Sequence, residues 1–104
     1  MNRILTLAAA SILAISVSPA FAQTSGAAIY ASKCQMCHGA NGQPTMAGKS
    51  MRAIPFNSPE LKKAPTASLI AAVTNGKGNM PSYGGKLSAA QIKAAVEYIR
   101  TLQK

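Results

Sequence analysis

The chain has 104 residues, 48% hydrophobic but only 5% aromatic and without Trp, and its eleven basic against two acidic side chains give a net charge of +9. That length holds one small domain and excludes a multidomain enzyme, a coiled coil or a disulfide-dense scaffold. An apolar fraction drawn largely from alanine buries little surface, so something further must hold so small a core together.

Met1 to Ala22 reads as a secretory signal peptide. Arg3 and the amino terminus form the positive start, Ile4 to Val17 the apolar run, and Ala20-Phe21-Ala22 the cleavage site behind Pro19. A retained anchor would need a span of about 20 apolar residues, and this run is shorter and broken by serines. Cleavage after Ala22 predicts an exported, periplasmic chain of 82 residues from Gln23 to Lys104, with ten basic and two acidic residues and a net charge of +8.

Gln23 to Gly26 is a polar lead, and Ala27 to Lys33 reads as a helix that Ser25 can cap. Gly39 to Pro65 is loop-like, with three glycines, four prolines and no steady apolar period. One short helical turn is expected inside it, with Ser58 as cap, Pro59 at the first position and Glu60 in the first turn. A second helix is predicted over Thr66 to Asn75, with Thr66 as its cap, Leu69, Ile70 and Val73 on its buried stripe, and Gly76 as its stop. Lys77 to Lys86 is a Gly-rich loop. The last helix opens on a capping box of Ser88 and Gln91 flanked by Leu87 and Ile92. Its apolar face is Ile92, Ala95, Val96, Ile99 and Leu102, with Lys93, Glu97 and Arg100 toward the other side. No stretch alternates at a two-residue period, so no significant sheet is expected.

Cys34-Gln35-Met36-Cys37-His38 is the C-x-x-C-H pattern of covalent haem attachment. Two thiols three residues apart can add to the two vinyl groups on one haem edge, and the next imidazole reaches the iron. A disulfide between Cys34 and Cys37 would close too small a loop to stabilise the fold. Zinc needs about four ligands, whereas this chain offers two Cys, one His and two acidic residues. A thioredoxin-type role expects strands that this sequence does not provide.

With His38 the only histidine, a second axial ligand comes from elsewhere, and a thioether suits haem iron. Met46, Met51 and Met80 remain, and chain reach does not exclude Met46. Met80 has the more telling context, because Pro81 fixes the backbone after it and Gly78 permits close approach to a ring.

Gly26 to Gly39, around the Cys motif, resembles the opening of a class I c-type cytochrome. Gly76 to Ser88 resembles the distal-methionine segment of its small bacterial members, and Val96 to Arg100 the closing helix. The resemblance spans nearly all of residues 23–104 and implies one all-α cytochrome c domain around a single haem c. It implies attachment through Cys34 and Cys37, His38 and Met80 as axial ligands, and a crossing of the first and last helices with Gly26 and Tyr30 near Ala95 and Tyr98. The family also carries a proline whose carbonyl accepts the proximal imidazole N–H, and here Pro44 and Pro55 both stand as candidates.

The function implied is single-electron transfer between redox proteins, with no catalytic residue to name. Alternatives are a haem subunit of one periplasmic oxidoreductase complex, or a ligand-binding haem protein with Met80 off the iron. The positive surface predicts acidic redox partners, while nucleic acid, stable membrane insertion after cleavage and oligomerisation are not expected.

Overall fold

The computed structural model describes residues 25–104. The signal peptide, its cleavage site and the start at Gln23 lie outside the described residues.

The first helix, α1, runs through residues 26–38 in three parts. Gly26–Ile29 is α-helical, Tyr30–Cys34 forms a π-helical turn, and Gln35–His38 is α-helical again. Ser25 caps it by accepting from the Ala28 N–H. The π turn carries the helix beyond Lys33, so the Cys motif lies inside α1.

Two short helices lie within the segment expected to be mostly loop. One is the anticipated turn at Pro59–Lys63 (α3), with Pro59 in its first turn and Ser58 at the N-cap position, although the Ser58 hydroxyl makes no capping bond. The other, Met46–Ser50 (α2), was not expected from the Gly-rich sequence. Thr45 caps it by accepting from Gly48 N–H at 3.2 Å. A Schellman pair ends it, with Arg52 N–H to Lys49 O at 3.0 Å and Ala53 N–H to Gly48 O at 2.9 Å. Arg52 takes the left-handed position at φ +64, where glycine is usual.

Thr66–Asn75 (α4) has the predicted bounds, but Pro65 holds its N-cap position and Thr66 is not the cap. The Thr66 hydroxyl instead accepts from the Arg100 guanidinium. Ala89–Thr101 (α5) starts on the predicted capping box, with both reciprocal Ser88–Gln91 bonds formed. Among the described residues the only β pairing is an isolated bridge between Lys77 and Met80.

The core has two parts that meet along α5. Tyr30, Cys34, Phe56 and Ile99 form one, joined by Leu61, Tyr98 and Leu102. Val73, Ile92 and Val96 form the other, flanked by Leu69, Ile70, Met80, Tyr83 and Leu87. Both draw on the predicted apolar face of α5, on which Val96 is wholly buried. A buried Val or Ile contributes about 1.5–3 kcal/mol, so α5 organises the molecule. α1 crosses it as expected: a Cβ on Gly26 would strike the Ala94 carbonyl, and the Tyr30 and Tyr98 rings lie 5.2 Å apart.

Candidate functional site

Cys34, Cys37 and His38 fall three and four residues apart at the end of α1, a spacing that puts them on one helical face. Gly39, at φ +74, ends the helix directly after His38. Its carbonyl accepts from the buried Tyr30 hydroxyl. Burial pushes that hydroxyl up to about 12, with the Cys34 thiol and Tyr98 adding to the effect, so it stays protonated and donating.

α2 buttresses the motif from the other side. Thr45 donates its hydroxyl to Met36 O at 2.6 Å and its N–H to Cys37 O at 3.0 Å. Gly48 lies so close that a Cβ there would collide with the Cys37 carbonyl. This close approach explains why α2 contains glycine despite its poor helix propensity.

The distal segment is a tight turn from Lys77 to Met80, closed by reciprocal backbone bonds of 3.2 and 3.0 Å. Gly78 supplies the positive φ, +58, at the first central position of this turn. Asn79 donates to Met51 O, and the Tyr83 hydroxyl donates to Lys33 O, each at 3.2 Å. These two bonds tie the Met80 loop to the far wall and to α1.

A cavity of about 310 Å³ opens between these parts. Cys34, Cys37, His38 and Met80 all line it, among Phe56, Leu61, Leu69, Val73 and Ile99. The four predicted residues thus reach one apolar space from segments more than 40 positions apart. Met51 also borders it, whereas Met46 does not and is 90% exposed.

Within the site the thiols are free, and burial, helped by Cys37, pushes Cys34 up to about 11. Burial likewise holds His38 below its usual value, so its imidazole is neutral at pH 7 with a lone pair to offer. Phe56 stacks on it, the centroids 4.6 Å apart and the planes at 23°. His38 Nδ1 is buried with no hydrogen-bond partner, and the Pro55 carbonyl accepts from Ser58 N–H. An unpaired buried polar atom costs about 1–3 kcal/mol. Two thiols and a neutral imidazole from α1 and a thioether from the distal turn, around one apolar cavity, fit a covalently attached haem. Zinc finds no equivalent, as no group of three or more His, Cys, Asp or Glu forms among the described residues.

Thr45, Asn79, Arg100 and Gln103 support the site and were not singled out from sequence. Thr45 could have been found as a cap two residues ahead of an otherwise unexplained Ala-Gly pair. The other three act on residues 28 to 47 positions away and leave no local signal.

Residues 21–99 match the family model described as cytochrome c oxidase, cbb3-type, subunit III. A cytochrome c6 from Synechococcus sp. is 31% identical, the match covering 95% of this chain and 91% of that one. The cbb3-type cytochrome c oxidase subunit FixP of Azorhizobium caulinodans is 35% identical over 74% of this chain, but only 26% of FixP is covered. Among solved structures, the KustC0563 c-type cytochrome superposes with a TM-score of 0.73 at 29% identity, covering 77% of this chain and 99% of that one.

Proposed function

The chain belongs to the class I c-type cytochromes, electron carriers with one covalently bound haem, and on that premise we propose that Cys34 and Cys37 form the thioether bonds while His38 and Met80 take the two axial positions. The observation that carries this reading is the convergence of all four side chains on one apolar cavity. When bound, the haem supplies a one-electron couple between ferric and ferrous iron.

The chain's own groups account for the rest. The neutral His38 imidazole needs no proton removed before it can donate its lone pair. Leu69 and Val73 dry the Met80 side, and Phe56 and Leu61 enclose the cavity further, which favours a site that reorganises little when charge changes. Tyr83 and Asn79 hold the Met80 loop closed through carbonyls of other segments, keeping the thioether in place without a bond to it.

Lys33, Arg52 and Lys77 border the cavity, and Lys86 sits over the Tyr83 ring. Neither acidic residue, Glu60 or Glu97, borders it. That rim supports acidic redox-protein partners, with an attraction that salt screens beyond about 8 Å at physiological strength. Export to the periplasm, with cleavage after Ala22, rests on the Met1 to Ala22 pattern. No helix among the described residues is long and apolar enough to cross a membrane.

A second reading, a dedicated haem subunit of one oxidoreductase, draws on the oxidase-subunit description of the matching family. Stable co-purification with a single complex distinguishes it from a free shuttle.

Met80→Ala tests the ligand assignment. The variant should change from a low-spin six-coordinate iron to an open or water-filled position, with a lower potential. The same change from Met51→Ala, with Met80→Ala silent, would assign the wrong methionine.

A further inference from the structure

The end of α5 carries a polar clasp with no counterpart in the sequence reading. Arg100, expected on the outer face, is half-buried and turned inward. Its Nη1 donates to Leu61 O at 3.1 Å and to Gln103 Oε1 at 3.0 Å. Its Nη2 donates to Ala64 O and to Thr66 Oγ1. All of these acceptors are neutral, and two are carbonyls at the end of α3 that the helix itself leaves unpaired.

Gln103 completes the clasp. With its side-chain carbonyl held by Arg100, its amide nitrogen is aimed at two main-chain acceptors, Phe56 O and Leu61 O, both at 3.1 Å. It also borders the cavity. Phe56 is the residue stacked on His38, and its N–H is fixed separately, by Gly42 O at 3.1 Å. The imidazole has no hydrogen bond at its buried Nδ1, and the Phe56 ring lies stacked on its face.

We propose that Arg100 and Gln103 form a positioning pair that sets the orientation of the His38 imidazole through the Phe56 carbonyl and ring. The inference rests on His38 being the proximal ligand. Conventional second-shell control acts by a hydrogen bond to the ligand's other nitrogen. Here that control is exerted by stacking, and the stacked ring is placed from the far end of the chain. Loosening the clasp lets Phe56 tilt and admits water on the imidazole side, which stabilises the more highly charged ferric state and lowers the potential.

The test uses the haem-loaded protein and the haem-methyl proton shifts of its oxidised form, whose spread follows the plane of the axial imidazole. Gln103→Met preserves bulk but removes both donors. Arg100→Lys keeps the charge but loses the fork that holds Gln103. Thr101→Ala is the control, because it removes a hydroxyl bond to Tyr98 O at the same end of α5 and leaves the clasp bonds in place. Gln103→Met should retain haem and helical signal while its methyl pattern is redistributed and its potential falls. Arg100→Lys should move both readouts in the same direction and by less. A parental pattern and potential in Gln103→Met would overturn the proposal, as would an equal redistribution in Thr101→Ala. Absence of axial imidazole signals from the parent would overturn the assignment of His38 itself.

Discussion

Where α1 crosses α5, side chains meet side chains. Tyr30 packs edge-on against Phe56 and tilted against Tyr98, and Gly26 lets the two backbones close until no Cβ would fit. Across the cavity, the walls at residues 39–58 and 76–87 send Phe56, Met80 and Tyr83 into the core and add polar ties: Thr45 to Met36 and Cys37, Asn79 of one wall to Met51 of the other, and Tyr83 to Lys33. A typical net hydrogen bond contributes only about 0.5–1.5 kcal/mol. One region therefore closes on itself, while the other is arranged around a space and depends on what fills it.

The largest effect comes from taking away the filler. Replacing Cys34 and Cys37 together with Ala should abolish covalent haem attachment, so that acidic acetone extracts all haem from the variant and none from the parent. Gly26→Val attacks the self-sufficient region instead. The Ala94 carbonyl cannot yield as a flexible side chain would, so a cost of about 3 kcal/mol is expected. For a domain of this size that lowers Tm by roughly 15 °C, with the visible spectrum of the surviving folded protein unchanged. A small change serves at the join of the two regions. Tyr30→Phe leaves the ring packed but strips Gly39 O, just beyond His38, of its donor. Thermal melts should show a loss of about 1–2 kcal/mol.

The same contrast explains what could be read from sequence. Ser88 and Gln91 cap α5 through partners three residues apart, and C-x-x-C-H carries its chemistry within five residues, so both were legible. The apolar period of α5 correctly gave Ile92, Ala95, Val96 and Ile99 as core. α2 was missed because its reason to exist is tertiary: Gly48 is there for the Cys37 carbonyl, against its own helix propensity. The role of Arg100 was not legible because helical period reports the direction of a side chain and not its reach. Its guanidinium returns to carbonyls 36 and 39 residues earlier. Thr66 was misread for a related reason, since its hydroxyl serves Arg100 and not its own helix.

The central claim is that the cavity walls are ordered by haem. α4 and α5, at 10 and 13 residues, are at or below the length at which isolated helices become marginal in water, about 12–15 residues. A bond from iron to Met80 would also close the chain from His38 around the ring, constraining the unfolded state as a long cross-link does. Circular dichroism of the haem-free, reduced chain from Gln23 to Lys104 tests the claim most directly. The account predicts weak helical signal and a broad loss on heating without a cooperative transition. A strong helical signal that melts cooperatively would contradict it, because the polypeptide would then possess a sufficient core of its own.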